Sequence, residues 1–309
     1  MMPVRVIFNP SAQGGRAGRH LARWQAQPGL LIQPTQGAGD ATRLASQAVN
    51  EGCRWVIAAG GDGTIREVVT GFMRAGANPS NTALSILPFG TVNVYALELG
   101  LAAVPRLPPD LDDASNDRWV DLVEIQFPDP TRNPALWMLQ LGGAGLDARA
   151  VEIASYKLKQ RIGRYAYAWS ACQALTEKRG RFRIQSASGI SAELDQLFVG
   201  KGKRFAGDRR LFPTAELDDG LIHLYGWPRT TWSKALRLAQ WLHASDPSAP
   251  PPAWQAASPE IRLDPVSQER VPLQIDGDFA GVLPCVMSVR RRAVRIRPFA
   301  LTPATAPTS

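Results

Sequence analysis

The sequence predicts an amino-terminal three-layer, doubly wound α/β domain followed by a carboxy-terminal β-sandwich domain. Strand and helix signals alternate over the first ~125 residues, and short strand-like runs replace them from about residue 130. The 309 residues also exceed the length at which one hydrophobic core usually stops growing. We therefore expect a first domain over 1–128, completed by 290–302, a second domain over 129–289, and a disordered tail at 303–309.

The first domain contains three strand–helix units. Its strands are the short β-rich runs Val4–Phe8, 55–59 and 83–87. Apolar residues spaced i, i+3, i+4, i+7 predict two helices, and a third is expected over 93–99. The two apolar faces consist of Ala41, Leu44, Ala45 and Ala48, after a capping Asp40, and of Ile65, Val68, Val69 and Phe72. Such repeated units form a mainly parallel sheet with helices on both faces, and ligands bind at the carboxyl ends of its strands.

Short strand-like runs separated by turn residues indicate a sandwich or barrel in the second domain. These runs are 181–185, 194–199, 221–225, 261–263 and 271–275. One helix interrupts them, with a shared face formed by Ile162, Tyr165, Ala166 and Trp169, and another is expected over 232–242. The proline-rich stretch 247–252 is expected to be a loop.

The composition is that of a folded globular protein, with 45% hydrophobic and 20% charged residues. Cys53, Cys172 and Cys285 lie far apart, which favours free thiols in a reducing compartment. The amino terminus lacks the apolar core of a secretory signal, and no run approaches the ~18 apolar residues of a membrane span. We expect a cytoplasmic protein. Its net charge of +8 favours anionic partners, which include nucleic acid, nucleotide phosphates and acidic lipid headgroups.

The strongest local motif is Gly60-Gly61-Asp62-Gly63-Thr64, between a buried strand and an amphipathic helix. Glycines let backbone amides approach phosphate oxygens, and the following helix N-terminus adds partial positive charge. A carboxylate beside polyphosphate requires a cation between them, so Asp62 indicates Mg²⁺. The alternative is a glycine turn in which Asp62 only caps the helix.

A second glycine motif, Gly90-Thr91-Val92-Asn93, follows the next strand and again opens a helix. Thr91 and Asn93 could simply cap that helix, yet they also place hydroxyl and amide groups at the same sheet edge. Together with Asn9-Pro10 after the first strand, the two loops predict a polar rim.

These motifs resemble the nucleotide-binding domain of diacylglycerol kinases and related lipid kinases. The resemblance rests on their order, which is Phe8-Asn9-Pro10 with Gly14-Gly15, then 60–64 with Glu67, then 90–93 with Ala96. It continues in the second half and covers nearly the whole chain. The matching segments there are 143–148, Lys157, 163–167, Pro213-Thr214-Ala215, Asp218-Asp219-Gly220 and Asp276-Gly277-Asp278.

The resemblance implies transfer of the γ-phosphate of ATP to the hydroxyl of a diacylglycerol-like or sphingoid-like lipid, in phospholipid metabolism, with the nucleotide site in an interdomain cleft. The net charge of +8 predicts a peripheral attachment to anionic membranes. We expect no nucleic-acid partner, and a homodimer stays open. The implied nucleotide and Mg²⁺ site consists of Asn9, Thr35, Gly60, Gly61, Asp62, Gly63, Thr64, Glu67, Gly90, Thr91 and Asn93. A structural Mg²⁺ would be held by the Asp219 side chain and the main-chain carbonyls of Glu216 and Leu221.

The sequence departs from the pattern of this family at three positions. The catalytic base is usually the Glu of a DGE triplet, and Asp278 stands there with a side chain one methylene shorter. Arg66 occupies a position that is commonly Asn, and Val94 one that is often Asp. We therefore predict Asp278 and Asp62 as the catalytic residues.

Four other functions fit parts of the sequence. NAD kinases also carry GGDGT, and a catalytically weak nucleotide-binding regulator differs from a kinase only at Asp278. The segment Gly143-x-Gly145-x-x-Ala148 is similar to a dinucleotide fingerprint but lacks the acidic residue ~20 positions later. Basic clusters at 201–210 and 290–297 suggest nucleic acid, although Arg295 and Arg297 alternate with apolar residues as in a solvated strand. No Walker A loop is present, and the three histidines form no metal or triad pattern.

Overall fold

The computed structural model describes residues 4–12, 15, 18, 29–90, 92–101, 116–129, 131, 134–154, 165–205, 207–244 and 250–298. The chain forms two compact units. Residues up to Val120 belong to the first unit together with those from Arg292 onward, and Asp121–Arg291 form the second. Within the described ranges, no helix combines the length and the apolar character needed to cross a bilayer.

The first unit alternates strands and helices along its amino-terminal part. Its elements are β1 (Val4–Phe8), β2 (Leu30–Pro34), α1 (Asp40–Asn50), β3 (Trp55–Gly60), α2 (Asp62–Arg74), β4 (Ala83–Pro88) and α3 (Val94–Glu98).

Short strands dominate the rest of the chain. Its elements are β5 (Arg118–Gln126), β6 (Leu136–Met138), β7 (Leu141–Gly145), α4 (Leu146–Ile153), α5 (Tyr165–Thr176), β8 (Phe182–Gln185), β9 (Ser191–Leu194), β10 (Gln196–Gly200), β11 (Arg204–Phe205), β12 (Arg209–Arg210), β13 (Ile222–Trp227), α6 (Trp232–His243), β14 (Trp254–Ser258), β15 (Glu260–Pro265), β16 (Pro272–Ile275), β17 (Asp278–Val282) and β18 (Cys285–Ile296). The boundaries between the units fall inside β5 and β18.

The sheet of the first unit is parallel and has the order β2-β1-β3-β4. The end of β18 adds a fifth parallel strand, with Arg295 opposite Ala83 and Ile296 opposite Leu84. Ser85 Oγ then donates to the carbonyl oxygen of Arg297 at 2.6 Å. The parallel sheet predicted from the βα repeats is confirmed, and its last strand comes from the far end of the chain.

The two predicted amphipathic helices form with their apolar faces buried. α1 and α2 pack closely because Gly71 has no side chain. A Cβ at that position would lie 2.4 Å from the Thr42 carbonyl oxygen and 2.6 Å from Ala45 Cβ. Ser46 Oγ donates to the Gly71 carbonyl at 2.9 Å, which fixes this crossing.

The second unit contains the predicted β-sandwich. One sheet is antiparallel throughout, in the order β14-β13-β10-β7-β16-β17. The other joins β18, β15, β8 and β9, again by antiparallel pairs. Side chains of both sheets share one core, which includes Ile184, Leu197, Val199, Ile261 and Leu273.

Strand β10 contributes to two cores because alternate residues point to opposite faces of a sheet. Leu197 and Val199 lie in the sandwich core, whereas Phe198 lies on the other face in a cluster rich in aromatic residues. That second cluster also takes in Leu238 and Trp241 of α6, so the helix covers this face.

One local expectation differs from the structure. The run 194–199 is divided at Asp195, whose carboxylate accepts hydrogen bonds from the amide and hydroxyl of Thr230. The predicted helix with Trp169 forms as α5. Trp169 is 65% exposed, and the small residues Ser170 and Ala174 are buried. Ile162 lies outside the described residues.

Candidate active site

The glycine motif forms the turn between β3 and α2. Gly60 ends the strand, and a Cβ there would lie 2.4 Å from Thr64 Oγ1, so this position is closed to side chains. Gly61 is the N-cap of α2 in an extended conformation and brings no capping side chain. The N-terminus of a helix 13 residues long is thus left for an anion, as expected for a phosphate-binding turn.

The two predicted loops touch through their glycines. A Cβ on Gly90 would lie 2.7 Å from Gly61 Cα and 2.5 Å from Asn93 Oδ1. Gly63 is the opposite case, because it is exposed and a Cβ there would meet no atom within 4 Å. The loop therefore has a closed side toward Gly90 and an open side at Gly63.

Asp62 joins the two loops with its carboxylate. Its Oδ2 accepts from the Val94 amide at 3.0 Å, and its Oδ1 accepts from the Tyr95 amide at 3.1 Å. Asp62 is thus a cap of α3 rather than of its own helix. A carboxylate offers about four lone-pair sites, and the donors in the described part of the chain take two of them. The residue therefore fits a cation on its remaining lone pairs.

Asn9 connects the end of β1 to the same loop. Its Nδ2 donates to Thr64 Oγ1 at 3.2 Å, and its Oδ1 accepts from the Ser11 amide at 3.0 Å. Thr35 follows β2, and its amide donates to the Phe8 carbonyl at 2.8 Å. Asn9 and Thr35 therefore lie at the carboxyl ends of the adjacent strands β1 and β2, where ligands bind on parallel sheets.

Asn93 closes the second loop on itself. Its Oδ1 accepts from the Gly90 amide at 2.6 Å, and its Nδ2 donates to the Gly90 carbonyl at 2.8 Å. Its φ of 54° is left-handed, a conformation that Asn tolerates better than most residues. The predicted site residue Thr91 lies outside the described residues.

Glu67 faces α1 with its carboxylate. Oε1 accepts from the Gly39 amide at 2.9 Å, and Oε2 accepts from the Ala41 amide at 3.2 Å. These are amides of the first turn of α1, where a carboxylate also complements the helix dipole. Glu67 therefore ties α2 to α1, and its predicted contact with nucleotide stays a prediction.

Asp278 is the exposed first residue of β17. It pairs with Ile275 across a two-residue turn made of Asp276 and Gly277, whose φ values are 46° and 84°. Two central residues with positive φ are the mark of a type I′ hairpin turn, which matches the twist of the flanking strands. The turn therefore fixes the backbone position from which the Asp278 side chain extends.

Two polar residues outside the predicted site hold this turn, and their roles were not predicted from the sequence. The carboxylate of Asp276 accepts from the amides of Leu139, Gln140 and Leu141 at 2.9 to 3.2 Å. Gln274 Oε1 accepts from the Gly277 amide at 3.0 Å. An available signal was Gln274 itself, a polar residue within the apolar run 271–275.

Gln274 also links the turn to Asp147. Its Nε2 donates to Asp147 Oδ2 at 2.8 Å, and the Asp147 amide donates to Gln196 Oε1 at 2.9 Å. Burial raises the pKa of Asp147 to about 6, against a lowering by the hydrogen bond from Gln274. The largely buried segment 143–148 thus anchors the hairpin of β16 and β17 that carries Asp278.

The raised pKa of Asp147 predicts a pH-dependent stability. Between about pH 4 and pH 6 the folded state holds this proton more tightly than the unfolded chain, so raising the pH through this window lowers the free energy of unfolding. Asp147→Asn has no carboxylic proton to lose. Between pH 4 and pH 6 we therefore expect its free energy of unfolding to rise by about 1 to 2 kcal/mol relative to that of wild type. Urea unfolding of both proteins at both pH values measures the difference. A difference that is independent of pH would contradict the prediction.

The Asp219 carboxylate lies in a dense cluster with Lys201. Its Oδ1 accepts from Lys201 Nζ at 2.7 Å and from the Leu221 amide at 2.9 Å. Its Oδ2 accepts from the Glu216 amide at 3.0 Å and lies 2.8 Å from His223 Nε2. Partial burial raises the pKa of Asp219, but these hydrogen bonds together outweigh it and hold the pKa at about 2.

The residues predicted to hold a structural Mg²⁺ do not fit one. The four contacts account for about all the lone pairs of the Asp219 carboxylate. Lys201 Nζ also donates to the Glu216 carbonyl, a predicted ligand, at 2.7 Å. Across the described ranges, no three or more His, Cys, Asp or Glu side chains are grouped so that they could hold a metal ion.

Comparison with known proteins identifies the family. Residues 3–123 match the diacylglycerol kinase catalytic domain, and residues 142–300 match the YegS C-terminal NAD kinase beta sandwich-like domain. A diacylglycerol kinase from Bacillus subtilis (strain 168) is 27% identical over 304 residues, which cover 92% of each chain. A Pseudomonas aeruginosa protein named "Probable lipid kinase YegS-like" is 31% identical over 224 residues, covering 71% of this chain and 70% of the relative.

The fold has a solved counterpart. The crystal structure of a diacylglycerol kinase from Bacillus anthracis str. Sterne superposes with a TM-score of 0.71 at 20% sequence identity, covering 96% of each chain. Both halves of this chain therefore have matching families, and the resemblance noted in the sequence is confirmed. The chain belongs to the diacylglycerol kinase and YegS-like lipid kinase family.

Proposed function

We propose that the protein transfers the γ-phosphate of ATP to the hydroxyl group of a diacylglycerol-like or sphingoid-like membrane lipid. The observation that carries the proposal is the uncapped N-terminus of α2, with Asp62 beside it, in a chain of a kinase family. A sugar or peptide acceptor has no comparable support, since the relatives are lipid kinases by name.

The nucleotide is bound by the first unit. The amides at the start of α2 donate to phosphate oxygens on the open side of the loop, at Gly63. Bound Mg²⁺ supplies neutralisation of the charge on the transferring phosphoryl group. Asp62 lies where it can face that ion with its remaining lone pairs, while Val94 and Tyr95 hold it in place.

The acceptor hydroxyl loses its proton to Asp278. In phosphoryl transfer the protein performs little covalent chemistry, so this carboxylate chiefly orients the hydroxyl and accepts its proton. Asp278 is exposed and starts from a hairpin turn held by Asp276 and Gln274, which suits a group that must meet a substrate. Its shorter side chain requires a closer approach of the hydroxyl, or a bridging water.

The lipid is reached by reversible docking to anionic membranes. The net charge is +8, and each Lys or Arg close to an anionic bilayer contributes about 1 kcal/mol, an attraction that salt screens. A few basic side chains are enough for a cytoplasmic enzyme to bind and leave the surface.

The test is a phosphorylation assay with γ-labelled ATP and vesicles that contain diacylglycerol, sphingosine or ceramide, with soluble NAD as a separate acceptor. We expect one lipid class to be labelled, faster on vesicles with anionic lipid and slower at high salt. Labelling of NAD alone would overturn the lipid acceptor. Nucleotide binding without labelling of any acceptor would favour a regulator.

The open side of the glycine loop gives a specific prediction for Gly63. In Gly63→Ala the new Cβ meets no protein atom, and an Ala inside α2 favours the helix by about 0.5 to 1 kcal/mol. The thermal midpoint Tm should therefore stay equal or rise, while ATP binding weakens because the methyl group occupies the phosphate side. Gly90→Ala is the contrast, because its Cβ would strike Gly61, and it should lower Tm. Calorimetric titration with ATP and thermal unfolding measure both. Unchanged ATP affinity in Gly63→Ala would place the phosphates elsewhere.

A further inference from the structure

We infer that the ammonium group of Lys201 takes the place of a structural divalent cation, so that the β-sandwich unit folds without bound metal. The inference concerns the cluster of Lys201, Asp121, Asp219 and the Glu216 carbonyl within the second unit. It is independent of the acceptor lipid and of the metal bound with the nucleotide.

The Lys201 ammonium lies among three oxygen atoms of this cluster. It donates to Asp219 Oδ1 and to the Glu216 carbonyl, each at 2.7 Å, and it forms an ion pair with Asp121 Oδ2 at 3.3 Å. The side chains of Lys201 and Asp121 are both 0% exposed. A buried ammonium with two carboxylates and a carbonyl around it has the surroundings of a bound cation.

The cluster fastens a loop, as a structural ion would. The loop from Glu216 to Gly220 meets β5 where the Asp121 amide donates to the Leu217 carbonyl at 2.8 Å and Asp121 Oδ2 accepts from the Gly220 amide at 2.8 Å. Lys201 follows β10, and its own amide donates to the Gln140 carbonyl at 2.7 Å. One side chain therefore joins the loop, β5 and β10.

A second cation has no place in this arrangement. Mg²⁺ binds oxygen at 2.0–2.1 Å with near-octahedral geometry. The Asp219 oxygens already accept hydrogen bonds from Lys201 and from two backbone amides, and one of them also contacts His223. The positive charge is also present already, and a divalent ion beside the ammonium would be repelled. Because the lysine is covalently attached, the cluster does not lose its cation at low Mg²⁺.

The test measures Tm without nucleotide, in EDTA and in millimolar MgCl₂ or CaCl₂. Wild-type protein should show the same Tm in all three. Lys201→Asn leaves Asp121 buried without its ammonium and should lower Tm in EDTA by roughly 10 °C. Added Mg²⁺ or Ca²⁺ should raise the Tm of this variant, because the carboxylates and the carbonyl are then open to a metal.

Lys203→Asn is the matched control. Lys203 lies two residues away and pairs with the exposed Glu216 carboxylate, so its loss removes the same charge without opening the cluster. Its Tm should remain near that of wild type and independent of metal. The inference is overturned if EDTA lowers the wild-type Tm, or if Lys201→Asn equals wild type in EDTA. Should Lys201→Asn fail to fold, the wild-type comparison decides alone, with elemental analysis for a retained divalent ion that Asp219→Asn loses.

Discussion

Asp278→Ala is expected to lower turnover of the lipid acceptor by about 10²- to 10⁴-fold and to leave ATP affinity unchanged. That range is typical for the loss of a positioned general base. Asp278 is exposed and begins a strand, and it belongs neither to the sandwich core nor to the aromatic cluster described above, so the substitution should preserve folding. Steady-state kinetics with vesicle-borne lipid, together with calorimetric ATP titration, measure the two quantities separately.

Three further variants sharpen this test. Asp278→Asn keeps the shape of the side chain but cannot accept the proton, so its turnover should fall as far as that of Asp278→Ala. Asp278→Glu restores the length usual in the family and should retain or raise activity if the acceptor pocket has room. Asp208→Ala removes a carboxylate that is 81% exposed in the same unit and should leave turnover unchanged. Normal turnover in Asp278→Ala would remove the assignment of the base.

Asp62→Asn is expected to lower turnover by at least about 100-fold, because a preorganised charge beside the transferring phosphoryl group is lost. The structure adds a second effect. One amide oxygen replaces two carboxylate oxygens, so either the Val94 or the Tyr95 amide loses its acceptor, at a cost of about 1 to 3 kcal/mol. Kinetics at saturating ATP and MgCl₂ should be measured beside Tm.

Asp40→Asn separates the two effects. Asp40 is the first residue of α1, as Asp62 is of α2, and its carboxylate accepts from the Gln36 amide at 3.0 Å. The variant Asp40→Asn should therefore lose a little stability and keep normal turnover. If Asp62→Asn shows only the same modest loss, its carboxylate is a helix cap and has no part in catalysis.

Local patterns predicted most elements of the first unit. The spacing of Leu44, Ala45 and Ala48 predicts the buried side of a helix. The change from an apolar strand to a run of glycines predicts the loop at Gly60. Such signals depend on neighbours within a few residues, so a sequence shows them directly. The fold class and the family are confirmed by the comparisons.

The roles of charged residues depended on partners far along the chain. Lys201 meets Asp121, 80 positions earlier, and Glu67 caps a helix that begins 27 positions before it. No periodicity encodes such pairs. A signal for Lys201 was nevertheless present in the sequence. The lysine comes directly after the apolar run 197–199 and Gly200, and every residue of that strand is buried. Its position did not reveal which anions would meet it.

The fifth strand of the parallel sheet determines when that sheet can be completed during synthesis of the chain. Residues 295–296 pair with β4, yet they leave the ribosome about 200 positions after it. At roughly 5–20 residues per second, β4 then waits about 10 to 40 s with one edge unpaired. An open edge strand can pair with other chains, so a nascent first unit is a natural client for a chaperone until synthesis is nearly complete.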